Sequence, residues 1–130
     1  MLKLDQVSQA YGSREVVKNL SFSLLPGQIG CLLGPSGCGK TTVLRCIAGF
    51  EPVAAGHIEI VGDTVSSPAR LTPPDKRQIG MVFQDYALFP HLTVAGNIAF
   101  GLGALDKESR QRRVDELLAL TGLLETANKY

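Results

Sequence analysis

The eight residues Gly34-Pro35-Ser36-Gly37-Cys38-Gly39-Lys40-Thr41 set three glycines, a lysine and a hydroxyl at the spacing G-x-x-x-x-G-K-[ST]. The chemistry open to such a set is the holding of a polyphosphate. An anion of that charge is met by backbone N–H groups turned inward, and the glycines at 34, 37 and 39 permit the necessary backbone angles and close approach. Pro35, Ser36 and Cys38 fill the positions between them. Lys40 brings a full charge on a long stem to the β- and γ-phosphates, and the Thr41 hydroxyl is placed to ligate a Mg²⁺ ion bridging them. Thr42, one residue on, can bond the α-phosphate.

Such a loop needs a strand before it and a helix after it. Ile29 to Leu33, a short apolar run between glycines, predicts a buried strand. Apolar residues at 43, 44, 47 and 48 predict a helix over Thr41 to Phe50, stopped by Glu51-Pro52. The helix start would turn the positive end of its macrodipole toward the anion. Further strands are expected at Leu2 to Val7, Leu20 to Leu25, His57 to Val61 (alternating, hence antiparallel and half-buried) and Gln78 to Phe83. Gly12-Ser13 and Pro26-Gly27 read as turns, and proline-rich Ser66 to Asp75 as a surface loop. Beyond Leu92 the pattern becomes helical. Thr93 can cap a short helix, and Asp106 a longer one through Leu120. In that helix Val114, Leu117 and Leu118 form the apolar stripe, opposite Arg112, Arg113, Asp115 and Glu116.

A hydrophobic content of 45% over 130 residues supports a real core. The net charge of +1, with its basic residues scattered as a solvated surface, gives no electrostatic reason to expect nucleic acid or an anionic bilayer as partner. Charges at the start leave no room for a signal peptide. The longest apolar stretch, Leu92 to Leu105, is broken by Asn97 and three glycines and falls short of the ~20 residues a membrane span needs. The expectation is a soluble, intracellular chain. The three cysteines include no C-x-x-C pair, against a disulfide framework or a zinc site. Cys31 and Cys46 read as small buried apolar residues, Cys38 as a loop residue whose side chain matters little.

Three blocks stand out: Gly34 to Thr42, Leu44 to Glu51, and Val82-Phe83-Gln84-Asp85-Tyr86-Ala87-Leu88-Phe89-Pro90-His91-Leu92-Thr93-Val94. Together, over nearly the whole chain, they resemble the ATP-binding subunits of bacterial ABC importers. The resemblance implies an α/β P-loop NTPase fold, with a mixed sheet, an antiparallel β-subdomain, the helix after the P-loop and the start of a helical subdomain. It implies ATP and Mg²⁺ as ligands, with a partial ATP-binding core over residues 1–91 and the helical subdomain from 92 to 130. By the same resemblance Tyr11 stacks on adenine and Val16 packs against base or ribose. Gln84 would reach Mg²⁺ and the attacking water, acting in catalysis beside Lys40. Tyr86 to His91 would border the groove that receives the membrane permease, although Leu88-Phe89-Pro90 could equally be local core. The whole subunit would pair with a second copy and sit peripherally on the cytoplasmic face of the inner membrane. His57 reads as an ordinary strand histidine, and His91 is not the family's switch histidine.

The departures are equally informative. There is no Leu-Ser-Gly-Gly-Gln signature, and no four-residue apolar run leads into Asp-Glu to supply a metal ligand and general base. The D-loop and switch histidine are absent too. The expectation is a fragment cut before the signature, with open sheet edges, weak nucleotide affinity and negligible turnover alone. Two other readings stay open. One is a different P-loop enzyme, a GTPase or small-molecule kinase, although no aspartate has glycine three residues later. The other is a truncated, non-catalytic binding module for the permease. Among importers, the wording of Leu44 to Glu51, with Cys46 and Phe50, looks most like the ferric-iron group; spermidine, sulfate, sugar and phosphonate importers remain alternatives.

Overall fold

In the computed structural model, which describes residues 1–130, strand β1 (Leu2–Tyr11) buries Leu4, Val7 and Gln9. A regular strand would bury every second residue, so the step from 4 to 7 requires one residue out of phase. That residue is Gln6, whose φ of 51° makes a bulge. The bulge shifts the register on both sides of β1, between Leu4 and Val7 toward β2 (Arg14–Leu24) and between Asp5 and Ser8 toward β3 (Ala55–Ile60). Two serines satisfy backbone groups near the irregularity. Ser21 Oγ accepts from Gln6 N at 2.8 Å, and Ser8 Oγ accepts from Asn19 N at 2.9 Å. The expected strand ending at Val7 thus continues to Tyr11 behind a bulge that hides the alternation, and Gly12-Ser13 turns the chain into β2.

The sheet is completed by β4 (Asp63–Ser67) and the two-residue β5 (Arg70–Leu71), in the order β2-β1-β3-β4-β5 with every pair antiparallel. The stretch expected as loop from Ser66 to Asp75 therefore contributes the end of β4, all of β5 and a 3₁₀ turn at Pro74–Lys76. Short, polar strands of this kind carry little periodic signal.

Two expected strands do not form. Ile29 to Leu33 and Gln78 to Phe83 have no ladder partner; Ile29 is 98% and Val82 93% exposed, and Cys31 is exposed rather than buried. Their composition suits strands covered on both faces, but neither segment joins the sheet β2-β1-β3-β4-β5. The sheet formed by these residues is consequently the antiparallel one alone, without the parallel component. An apolar cleft of about 440 Å³, lined by Leu2, Phe22, Leu24, Leu32, Leu44 and Ile47, opens beside the first of these segments.

Helix α1 (Lys40–Ala48) places Val43 and Cys46 in one core with Leu4, Val7, Val17, Val53, Ile58 and Val65. Burying a Val, Leu or Ile side chain contributes about 1.5–3 kcal/mol, so this shared core is what holds helix to sheet. The helix ends earlier than the proline suggests. Gly49 adopts the left-handed conformation, and its N–H bonds the carbonyls of Arg45 and Cys46. The neighbouring carbonyls are taken by Arg77, a cation expected on the surface but only 4% exposed. Its Nη1 donates to Cys46 O and Ile47 O (2.8 Å each), Nη2 to Val65 O (3.0 Å) and Ser66 Oγ (2.7 Å), and Nε to Thr72 O (2.7 Å). Burial draws its pKa below the ordinary arginine value, opposed by the nearby Cys46.

Between β3 and β4 the chain turns through Val61 and Gly62, at φ 53° and 92°. Positive φ at both central positions is the habit of type I′ hairpins, which favour Asn-Gly. Val61 is β-branched and 78% exposed, so it bears the strain and gains little packing. Val61→Asn is expected to stabilise the fold by about 1 kcal/mol. A rise in the urea midpoint at unchanged slope is the check.

Residues Met1–Met81 and Val82–Tyr130 form two compact units, with Gln84 in the second. In the second unit Thr93 caps α2 (Val94–Phe100), its side chain accepting from Gly96 N, and Asp106 caps α3 (Lys107–Thr121), accepting from Glu108 N and Ser109 N. Both caps stand where their residue types predict. Val114 and Leu118 are buried and Leu117 partly so. The hydrogen bonds from Ser109 and Glu108 hold the Asp106 carboxyl below its ordinary 3.8. A carboxyl depressed in the folded state stabilises above its unfolded pKa, and that contribution fades as pH falls from about 3.8 through the folded value. Asp106→Ala should lower the melting temperature of the unit at pH 7, with the deficit shrinking in that acid window; Asp106→Asn should keep most of the cap.

Candidate functional site

Residues Pro35 to Cys38 make an exposed succession of bends and turns that runs through buried Gly39 without a break into α1. Gly34, Gly37 and Gly39 all have positive φ, at 153°, 78° and 99°. Gly39 also has no room for a side chain: a Cβ there would sit 2.8 Å from the Val16 carbonyl oxygen and 3.2 Å from its Cγ1. The loop is thus pressed against β2 where β2 carries Val16. A cavity of about 240 Å³ lies at this junction, and Val16, Lys18, Cys38, Gly39 and Lys40 are among its lining.

Lys40 Nζ folds back over the loop, donating to the carbonyls of Gly34 and Pro35 at 2.8 Å each and standing 3.7 Å from Cys38 Sγ. The ammonium is therefore held at the concavity by weak neutral acceptors, which a phosphate oxygen outcompetes through charge. Thr41 is exposed in the first turn of α1, whereas Thr42 is buried. No group of three or more His, Cys, Asp and Glu side chains gathers to hold a metal. That donor set fits Mg²⁺ of one kind only, an ion carried mainly by phosphate oxygens and water with a hydroxyl such as Thr41 added.

Tyr11 is the last residue of β1, paired with Arg14 across the hairpin turn, and the residue is 48% exposed. It is not among the residues lining the cavity at the loop. Gln84 lies in the second unit, exposed in a turn whose next residues, Tyr86 and Ala87, take positive φ (59° and 50°) without being glycine. Backbone held in that region costs about 1–2 kcal/mol per residue and concentrates at functional segments. Phe89 stacks on Phe100 at a centroid distance of 4.2 Å, while Asn97 closes the loop through bonds to Phe89, Leu92 and Thr93. Phe89 is accordingly local packing, and Leu88 is exposed. His57 bonds Glu59 on the sheet, as an ordinary strand histidine would.

Cys46 is buried, and desolvation, reinforced by the Glu51 charge and opposed by Arg77, pushes its thiol up to about 11. It is neutral and inert at pH 7. Arg77 is the residue that sequence reasoning missed. A lone arginine between a proline-rich loop and an apolar run carries no pattern that distinguishes it from a surface cation.

The sequence model of the ABC transporter family matches residues 17–130. The chain belongs to the ABC transporter family. Among curated ABC proteins it is 46% identical to the spermidine/putrescine import ATP-binding protein PotA of Pseudomonas fluorescens, over 98% of this chain and 36% of that protein. It is also 46% identical to the Fe(3+) ions import ATP-binding protein FbpC 2 of Pectobacterium atrosepticum, over all of this chain and 37% of the relative. The sulfate/thiosulfate import ATP-binding protein CysA 2 of Chromobacterium violaceum is 45% identical over 99% and 34%. A solved dimeric ATP-binding cassette in a post-hydrolysis state, bound to ADP and Pi, superposes with a TM-score of 0.82 at 29% identity, over 98% of this chain and 60% of that one. The chain has the ABC ATPase fold and spans about a third of the length of its curated relatives. No helix is long and apolar enough to cross a membrane.

Proposed function

We propose that this chain is the nucleotide-binding front of an import ATPase, a subunit whose whole length couples ATP hydrolysis to solute uptake. The observation that carries the reading is the loop at Gly34–Thr41. Its glycines take positive φ, its backbone leads directly into α1, and the Lys40 ammonium sits over its own carbonyls where a phosphate would displace them. In this reading the loop N–H groups and Lys40 hold the β- and γ-phosphates and Thr42 the α-phosphate. Thr41 with Gln84 holds the Mg²⁺ ion, which neutralises phosphate charge when bound. Tyr11 and Val16 take the adenine and ribose, and Gln84 orients the water.

Residues 1–91 serve as the partial core and 92–130 as the start of the helical subdomain. The segments 29–33 and 78–83, which join no ladder, are strands of the complete sheet, completed by the length that the relatives have and this chain does not span. The full subunit works as a homodimer on the cytoplasmic face of the inner membrane, docked to permease subunits near Gln84. It has no role in binding nucleic acid. Calorimetry with Mg-ATP is the test: saturable binding that GTP does not match supports the reading, and no association with Lys40 and Thr41 intact overturns it. Hydrolysis by these 130 residues alone should be negligible for want of a general base.

The finer proposal is ferric iron as the solute, from the wording of Leu44 to Glu51. The spermidine and sulfate relatives match to the same degree. Uptake of iron, spermidine and sulfate by cells lacking the gene separates the three, since only one should fall.

A further inference from the structure

We propose that Arg77 is a positioning residue for nucleotide binding, fixing the tilt of α1 so that the phosphate loop keeps its orientation toward the strands carrying Tyr11 and Val16. The inference rests on the ATP reading above.

Helix α1 meets the sheet at two places. Its N-terminal end touches β2, where Gly39 abuts the Val16 carbonyl and Val43 shares the core with Val17. Its C-terminal end is joined to β4 and the segment after β5 by the Arg77 guanidinium, with Cys46 O and Ile47 O on one side and Val65 O, Ser66 Oγ and Thr72 O on the other. In the sheet order β2-β1-β3-β4, three strand spacings separate those anchors, about 14 Å at the usual interval. A helix of nine residues is about 13.5 Å long. The helix therefore spans the sheet from anchor to anchor, one end on each.

All five N–H groups of Arg77 are used, and none of their acceptors is acidic. The side chain is thus no counter-ion to a carboxylate. Its planar fork bridges the negative end of a helix to a strand, a geometry that a lysine's single ammonium cannot reproduce. Released at that end, α1 pivots about the Gly39–Val16 contact. The loop turns with it as a body, its glycine angles and the Lys40 contacts intact, while the phosphates move relative to the base. Binding that uses the loop alone should survive; binding that needs loop and base strand together should not.

Arg77→Lys and Ser66→Ala, each checked for folding by circular dichroism, are compared with the parent chain for affinity toward Mg-ATP and Mg-tripolyphosphate. Arg77→Lys is expected to weaken ATP about tenfold and tripolyphosphate less than about twofold, since sub-ångström to ångström misplacement costs factors of this order. An equal loss for both ligands, or no loss for either, overturns the inference. Should Arg77→Lys fail to fold, Ser66→Ala decides: it removes one acceptor and should weaken ATP alone by about two- to threefold, and equal affinities for parent and variant overturn the proposal. A parent chain that binds neither ligand sinks the ATP reading itself. Tripolyphosphate binding without any gain from the adenosine sinks the positioning role while sparing the loop.

Discussion

Lys40→Ala should abolish measurable Mg-ATP binding while leaving the fold intact. Each charge-assisted hydrogen bond contributes about 1.5–3 kcal/mol. An ammonium shared between two phosphates therefore accounts for roughly 3–5 kcal/mol, or a loss of affinity of about 10²-fold to several thousandfold. Stability should scarcely change. The Lys40 ammonium bonds two carbonyls in an exposed loop, and water can replace it at both. Calorimetry and a melting curve on the same sample test both halves. A variant that melts like the parent and still binds Mg-ATP equally well would remove Lys40 from the site. A variant that loses binding only because it has unfolded would show that the residue is structural.

What the sequence made legible divides along a physical line. Features specified by neighbours in the chain were readable: the loop glycines, the Thr93 and Asp106 caps, and the Val114–Leu118 stripe. Features that depend on a distant partner were not. The β1 alternation fails at Gln6 because Gly56, fifty residues away, faces the bulge, and no local pattern announces that pairing. Ile29 to Leu33 and Gln78 to Phe83 have the composition of strands but pair with no strand of this chain, so propensity alone could not make a ladder. Arg77 reverses the usual expectation for a charged side chain because five neutral acceptors converge on it from three separate segments. In the candidate site the loop was legible for the same reason the caps were. The tie between α1 and β4 was not, for the same reason as the bulge.

Gly56→Ala is expected to be among the most damaging single-methyl additions this chain can receive. Gly56 has a φ of 74°, where an L-residue pays about 1–2 kcal/mol. That strain is only part of the cost. A Cβ at 56 would collide with the carbonyl oxygens of Asp5 and Gln6, which are backbone atoms of the bulge itself. They cannot retreat without disturbing the β1–β3 ladder that runs from Leu2↔Ile60 to Ser8↔Ala55. Leu4 and Ile58, both almost fully buried, are paired in that ladder and would lose their alignment together. The total should reach about 4 kcal/mol or more, the range reserved for strain and core disruption combined. Against a stability of roughly 5–15 kcal/mol this brings the sheet near its unfolding threshold. Gly62→Ala supplies the control. Its φ is also positive, at 92°, but a Cβ there meets nothing within 4 Å, so it should cost only the backbone strain of about 1–2 kcal/mol. Urea denaturation of the two variants beside the parent isolates the contact by difference. Equal midpoints would mean that β1 and β3 yield at the bulge, and that the close approach of Gly56 does not fix their register.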